Sequence, residues 1–232
     1  MPHALLRKAF AELLGSALLA ATVVGSGIAA QRLSQDRGLQ LLENAVITGA
    51  ALVALILALG PVSAAFNPVV TVVERALGAI TSNEALTFIG AQVAGCSLGV
   101  VVANLMYELP AVNVSSHVRD GGGVWLGEVV ATFGLVVVIF GVVRSGRTSS
   151  VAYAVGGYVT AAYWFTSSTS FANPAITIGR TLSDTFAGIA PSSAPLFVVM
   201  QLLGGVLAVG AVRLLYPDAR RVASDVAREA AR

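Results

Sequence analysis

The chain has 232 residues, 56% of them hydrophobic and only 11% charged, with a formal charge of +2 and a mean hydropathy of +0.82. A soluble domain carries about 25% charged residues, so an ordinary soluble enzyme is excluded and a lipid setting is implied. A single cysteine, Cys96, and two histidines, His3 and His117, rule out a disulfide framework, a cysteine cluster and a histidine-rich metal site within one chain.

A membrane-spanning helix needs about 20 mostly apolar residues. Six stretches qualify, near Phe10 to Ala30, Leu41 to Gly60, Glu84 to Tyr107, Val124 to Val143, Ser150 to Ser167 and Ala194 to Tyr216. The first carries no clear cleavage site and continues into a polar loop, so it reads as a span rather than a cleavable signal. Between the second and third spans lies Asn67-Pro68-Val69, and between the fifth and sixth lies Asn173-Pro174-Ala175. Asparagine is a good N-cap and proline suits the first helical turn, so each triplet predicts the start of a short helix. The apolar run after each is too short to cross, which predicts two re-entrant half-helices, tolerated at membrane depth only against protein or a water-filled cavity. Each aims unpaired amides and a positive dipole end inward, so together they predict a constriction with an electropositive centre.

Arginine and lysine placement sets an expected orientation. With a cytoplasmic N-terminus, the inner side takes Arg7, Lys8, Arg75, Arg144, Arg147, Arg213, Arg220, Arg221, Arg228 and Arg232, and the outer side takes Arg32, Arg37, Arg119 and Arg180. This split obeys the positive-inside rule with both termini cytoplasmic. The charged segment 218–232 reads as a solvated cytoplasmic tail that fixes topology.

The two halves repeat. Glu12 in Phe10-Ala11-Glu12-Leu13-Leu14-Gly15 recurs as Glu128 in Leu126-Gly127-Glu128-Val129-Val130-Ala131, and Gln92-Val93-Ala94-Gly95 recurs as Gln201-Leu202-Leu203-Gly204. Three spans per half is an odd number, so the second copy is expected to be inverted, with residues 1–116 and 117–217 as the two repeats of one channel domain. Inverted repeats place their site at the interface near the midplane, where broken helices point inward.

On the paired Asn-Pro triplets, the two intramembrane glutamates and the repeated glutamines, the chain resembles the major intrinsic protein family of aquaporins and aquaglyceroporins along nearly its whole length. The resemblance implies an all-α fold of six transmembrane helices and two half-helices in two inverted repeats, with one pore per subunit. It also implies a homotetramer, and Gly95, Gly99, Gly204 and Gly205 would permit the close helix packing that such a bundle needs. The carboxamides of Asn67 and Asn173 are expected to donate to a passing oxygen while each caps its own half-helix. Val69 departs from the alanine expected in the first triplet and is expected to add bulk beside the pore. Glu12 and Glu128 take a scaffold role, accepting hydrogen bonds from the loops that bear the half-helices, with a proton-carrying role as the alternative.

Water- and glycerol-conducting relatives usually carry an arginine directly after the second triplet, and here that residue is Ile176. Counting back from the motifs places the remaining filter positions at Thr48, Ala161 and Ser170, within one residue for the first two. A filter of Thr, Ala, Ser and Ile is small and uncharged, and so wider than one clamped by a guanidinium. Arg180, four residues past Ile176, either lines the outer vestibule or turns away to pair with Asp184. The aromatic run Tyr163, Trp164 and Phe165 reads as packing rather than pore lining. The segments on both sides of the second triplet are similar to bacterial aquaglyceroporin-like channels encoded with arsenic-resistance genes, which implies passage of neutral arsenous acid.

The expected function is therefore a passive channel in the inner membrane of a bacterium for small neutral solutes. Arsenous acid is favoured, with glycerol, urea or water as further permeants. A water-selective pore and a proton-coupled carrier using Glu12 or Glu128 remain as alternatives. No HExxH, no phosphate loop and no nucleophile-base pair is present, and Ser63 and Ser170 have no histidine placed by sequence to activate them, so no enzyme activity, cofactor or nucleic-acid partner is expected.

Overall fold

The structure, a computed structural model, describes residues 2–217. The expected cytoplasmic tail, with Arg220, Arg221, Arg228 and Arg232, lies outside the described residues. The helices run in the order α1 (Pro2–Leu33), α2 (Arg37–Leu59), α3 (Pro68–Leu77), α4 (Ser82–Met106), α5 (Gly122–Arg144), α6 (Val151–Phe165), α7 (Pro174–Arg180) and α8 (Ala194–Leu215). A 3-10 turn at Thr148–Ser150 precedes α6. The fold is all-α, with α3 and α7 as the half-helices.

Five helices, α1, α2, α4, α5 and α8, are long and apolar enough to cross a membrane by length and composition. The sixth, α6, has 15 residues, fewer than the Ser150 to Ser167 expected from hydropathy. Thr166 leaves the helix with extended angles (φ −104°, ψ 139°), and its hydroxyl donates to the Ala162 carbonyl, 2.7 Å away. The apolar run therefore ends as helix before it ends as sequence, and the 3-10 turn lengthens the element at its other end.

Local chemistry fixes the other ends. Asp36 caps α2 through the Leu39 amide at 2.9 Å. Thr81 and Glu84 form a reciprocal capping box, so α4 begins at Ser82, two residues ahead of its expected start. The half-helix α3 closes on Gly78, which takes a left-handed conformation (φ 84°) while the Ala79 amide bonds back to the Glu74 carbonyl at 2.9 Å.

The helix α1 lies along α4, and α5 lies along α8 in the corresponding place of the second half, with α2 against α6 between the halves. Glycine makes the first two crossings close. A Cβ at Gly95 or Gly99 of α4 would overlap the carbonyl oxygens of Leu13 or Ala17 in α1, and one at Gly204 of α8 would sit 2.6 Å from the Val129 carbonyl oxygen in α5. Such small-residue seams bring backbones together where lipid supplies no hydrophobic drive between helices. Phe10, Leu86, Leu126, Val206 and Leu214 project outward, as suits an apolar solvent, while Leu19, Val24, Val100, Ala131 and Leu135 fill the interior around the half-helices.

Candidate functional site

The two half-helices meet end to end through their caps. The Asn67 side-chain oxygen accepts from the Val69 amide at 2.9 Å, and that of Asn173 accepts from Ala175 and Ile176 at 3.0 and 3.3 Å. Each carboxamide nitrogen then reaches across to the opposite half: Asn67 Nδ2 donates to the Ala172 carbonyl and Asn173 Nδ2 to the Phe66 carbonyl, both at 2.7 Å. A carboxamide has two N–H donors, so this exchange leaves each asparagine a second one, and both residues line a cavity. Phe66 and Ala172, directly before the asparagines, both hold φ at 48°. Left-handed backbone costs a non-glycine residue about 1 to 2 kcal/mol. Here it turns each carbonyl toward the opposite amide.

A carboxylate holds each loop in that strained shape. Glu12 is fully buried and accepts from the Ala65 and Phe66 amides at 2.9 and 2.8 Å, from Ser63 Oγ at 2.5 Å and from Gln92 Nε2 at 2.8 Å. Glu128 is equally buried and accepts from the Phe171 and Ala172 amides at 2.9 and 3.0 Å and from Gln201 Nε2 at 2.5 Å. The glutamines also bond Thr71 and Thr177, at 2.9 and 2.8 Å, and so tie each carboxylate to its half-helix. Neither glutamate lines the cavity. Ser63, a serine with no histidine placed by sequence to activate it, spends its proton on Glu12.

The cavity is about 940 Å³ and runs from Arg7, Lys8 and Arg144 past both asparagines to Tyr163, Ile176 and Arg180. Thr48, Ser170 and Ile176 line it, all buried. Ala161 does not line it and is exposed on the outside of α6. Tyr163 stands there instead, with its hydroxyl 3.3 Å from Thr48 Oγ1, while Trp164 and Phe165 face outward. Two residues along a helix is about 200° of rotation, so the count back from the motif landed on the opposite face. Thr169, Ser170 and Ala172, between α6 and Asn173, are all left-handed, so spacing along the sequence does not carry the helical face across them. A signal was present: Val155, Val159 and Tyr163 recur at four-residue spacing and all line the cavity.

Val69 also departs from expectation. It lies not beside the lumen but in a buried cluster with Val73, Leu77 and Val136, and it occupies the place that a Cβ on Gly205 would need. A Cβ at Gly205 would come 2.5 Å from Val69 Cγ1, so the added bulk is absorbed by α8.

Arg180 does not pair with Asp184. The Asp184 carboxylate accepts instead from the Ser116 amide at 2.8 Å and the Ser116 hydroxyl at 3.0 Å, bonds that hold it below the usual carboxylate range. The Arg180 Nε donates to the Ala187 carbonyl, and its guanidinium lies 3.5 Å from the centre of the Phe171 ring. Arg119, from the loop before α5, approaches the same ring at 5.1 Å and bonds the Gly188 and Phe186 carbonyls at 2.9 and 3.3 Å. No group of three or more His, Cys, Asp or Glu side chains that could hold a metal is found among the described residues.

Comparison with known proteins places this architecture. The family described as Major intrinsic protein matches residues 2–165 and 144–231. Aquaglyceroporin AqpS of Rhizobium meliloti (strain 1021) is 46% identical over 228 residues, which cover 98% of this chain and 97% of that one. The X-ray structure of the aquaglyceroporin from Plasmodium falciparum superposes with a TM-score of 0.75 over 93% of this chain and 98% of its own; at 16% identity this is a likeness of fold.

Proposed function

Because the chain belongs to the major intrinsic protein family and is a channel for small neutral solutes, we propose that its range centres on arsenous acid and related neutral metalloid hydroxides, with glycerol, urea and water as further permeants. The observation that carries this reading is Ser170: its hydroxyl is buried in the cavity wall and has no hydrogen-bond partner among the described residues. A buried unpaired hydroxyl costs about 1 to 3 kcal/mol. A turn of the side chain toward the lumen would let a solute bearing hydroxyls of its own relieve that cost as it passes. Thr48 and Tyr163 add two further hydroxyls, and Ile176 supplies an apolar wall where an arginine would clamp the lumen. Three hydroxyls and no fixed charge at position 176 suit arsenous acid, which is neutral at physiological pH and presents hydroxyls much as glycerol does.

In this reading Thr48, Tyr163, Ser170 and Ile176 form the filter and Arg180 supplies a positive charge toward the outer vestibule. The second N–H groups of Asn67 and Asn173 orient the solute at the midplane. The positive ends of α3 and α7 oppose cations and protons. The proton-carrying alternative gains nothing from Glu12 and Glu128, whose carboxylates are enclosed and spent on loop amides. We place both termini in the cytoplasm, the channel in a bacterial inner membrane and the working unit as a homotetramer. The charge split, the relative's bacterial source and the outward apolar faces support these assignments.

Stopped-flow flux through purified protein in liposomes tests the reading. Arsenous acid and glycerol should both pass well above protein-free vesicles, without saturation characteristic of a carrier and without a proton gradient. Fast water with neither solute would overturn the metalloid assignment and leave a water-selective pore.

A further inference from the structure

The two half-helices diverge seven residues past each asparagine, where the first carries Glu74 and the second Arg180. Both side chains line the cavity, at opposite ends of it. Among the described lining residues Glu74 is the one carboxylate, in a wall whose other charges are Arg7, Lys8, Arg144 and Arg180. Among the described residues its carboxyl has no hydrogen-bond or ion-pair partner, and Lys8 lies 3.2 Å from Glu84 instead.

A structural reason for this carboxylate is missing. It sits in the last turn of α3, which ends at Leu77, where the helix dipole disfavours an anion and Arg75 is the residue that fits. Its backbone is pinned by the Ala79 amide, so the side chain projects from a fixed point. Every other polar group named along the lumen, the asparagine amides, the arginines and the hydroxyls, can donate; a carboxyl at position 74 adds two oxygens on one frame, and when ionised it only accepts.

We propose that Glu74 is a docking residue of the vestibule beside the N-terminus, and that among Arg7, Lys8 and Arg144 it ionises to accept neutral solutes that carry two or more hydroxyls on one frame. This rests on the neutral-solute reading above and deepens it. A polyol or a trihydroxy metalloid acid offers two O–H donors at once to the two carboxylate oxygens, a bidentate, charge-assisted contact that one water molecule cannot make. Seven helical residues span about 10 Å, so the docked solute waits one step short of the asparagine pair. Arg180 at the far end only donates, so the channel offers unlike ends to a solute.

The test compares wild type, Glu74→Gln and Glu74→Asp in liposomes for arsenous acid, glycerol and water, with thermal unfolding of each protein in detergent as a check on folding. Glu74→Gln should lower arsenous acid and glycerol permeability about fivefold. It should change water less than twofold, and Glu74→Asp should recover part of the loss. A parallel fall of water and solutes, or no change in any of them, would overturn the docking role. Wild type passing neither solute would overturn both this role and the reading it rests on.

Discussion

The half-helix after Asn67 and the half-helix after Asn173 are held by the same parts and lined by different ones. In each, a buried glutamate on the first helix of its half takes two loop amides and a glutamine from the last, and the glutamine takes a threonine on the half-helix. The residues turned to the lumen, apart from the asparagines, do not match: Ala64 stands where the second half has Ser170, Val70 where it has Ile176, and Glu74 where it has Arg180. The clamp needs a geometry that both halves share. The lining meets solute at two different mouths, and inversion gives it no reason to be alike at the two ends.

The largest effect should come from breaking the clamp. Glu12→Ala leaves two loop amides, a serine hydroxyl and a glutamine without their acceptor and should destabilise the protein by about 3 kcal/mol or more. Glu128→Ala removes one acceptor bond fewer and should cost somewhat less. Thermal unfolding of the two variants in detergent, side by side, checks both the size and the order; equal stability with wild type would contradict the scaffold role.

A second break concerns packing. Gly205→Ala drives a Cβ into Val69 and should cost about 1 to 3 kcal/mol, while the same change together with Val69→Ala should recover most of it. A double-mutant cycle measures the coupling, expected at about 1 kcal/mol or above. Additive effects would mean that Val69 does not rely on Gly205 for its place.

Tyr163→Phe sharpens the contrast between clamp and lining, because it removes a lumen hydroxyl 3.3 Å from Thr48 and leaves the clamp untouched. Stability should shift by no more than about 1 kcal/mol. Arsenous acid flux should fall a few-fold relative to water, as read by the same liposome assay.

The smallest effect lies outside the membrane. Asp184 is held below its ordinary value by the Ser116 amide and hydroxyl, so its contribution is present at neutral pH and is lost as pH falls through that depressed value. Asp184→Asn should therefore be slightly less stable than wild type at neutral pH, and the two unfolding curves should converge in acid. A gap that persisted below the carboxylate range would contradict the assignment.

Much of this was legible in the sequence, because lipid leaves few options. Apolar runs of spanning length, two Asn-Pro helix starts and two intramembrane glutamates constrain the chain to a narrow set of folds. The lumen was harder to read. Which face of α6 turns inward depends on three left-handed residues between α6 and Asn173, and none of them is a glycine that would have marked the bend. The place of Val69 depends on a glycine 136 positions away in the chain, a contact that no local pattern carries. Arg180 takes the Ala187 carbonyl and the Phe171 ring while Asp184 takes Ser116, all contacts outside the i,i+4 spacing.

An uncharged, hydroxyl-lined filter with isoleucine at position 176 should pass neutral solutes larger than water. The most direct measurement is the ratio of arsenous acid to water permeability in liposomes, for wild type and Ile176→Arg under identical conditions. The ratio should be high for wild type and lower by about tenfold for the variant, with water little changed. A ratio that is the same in both proteins would contradict this, since the residue at position 176 would then have no part in setting what passes.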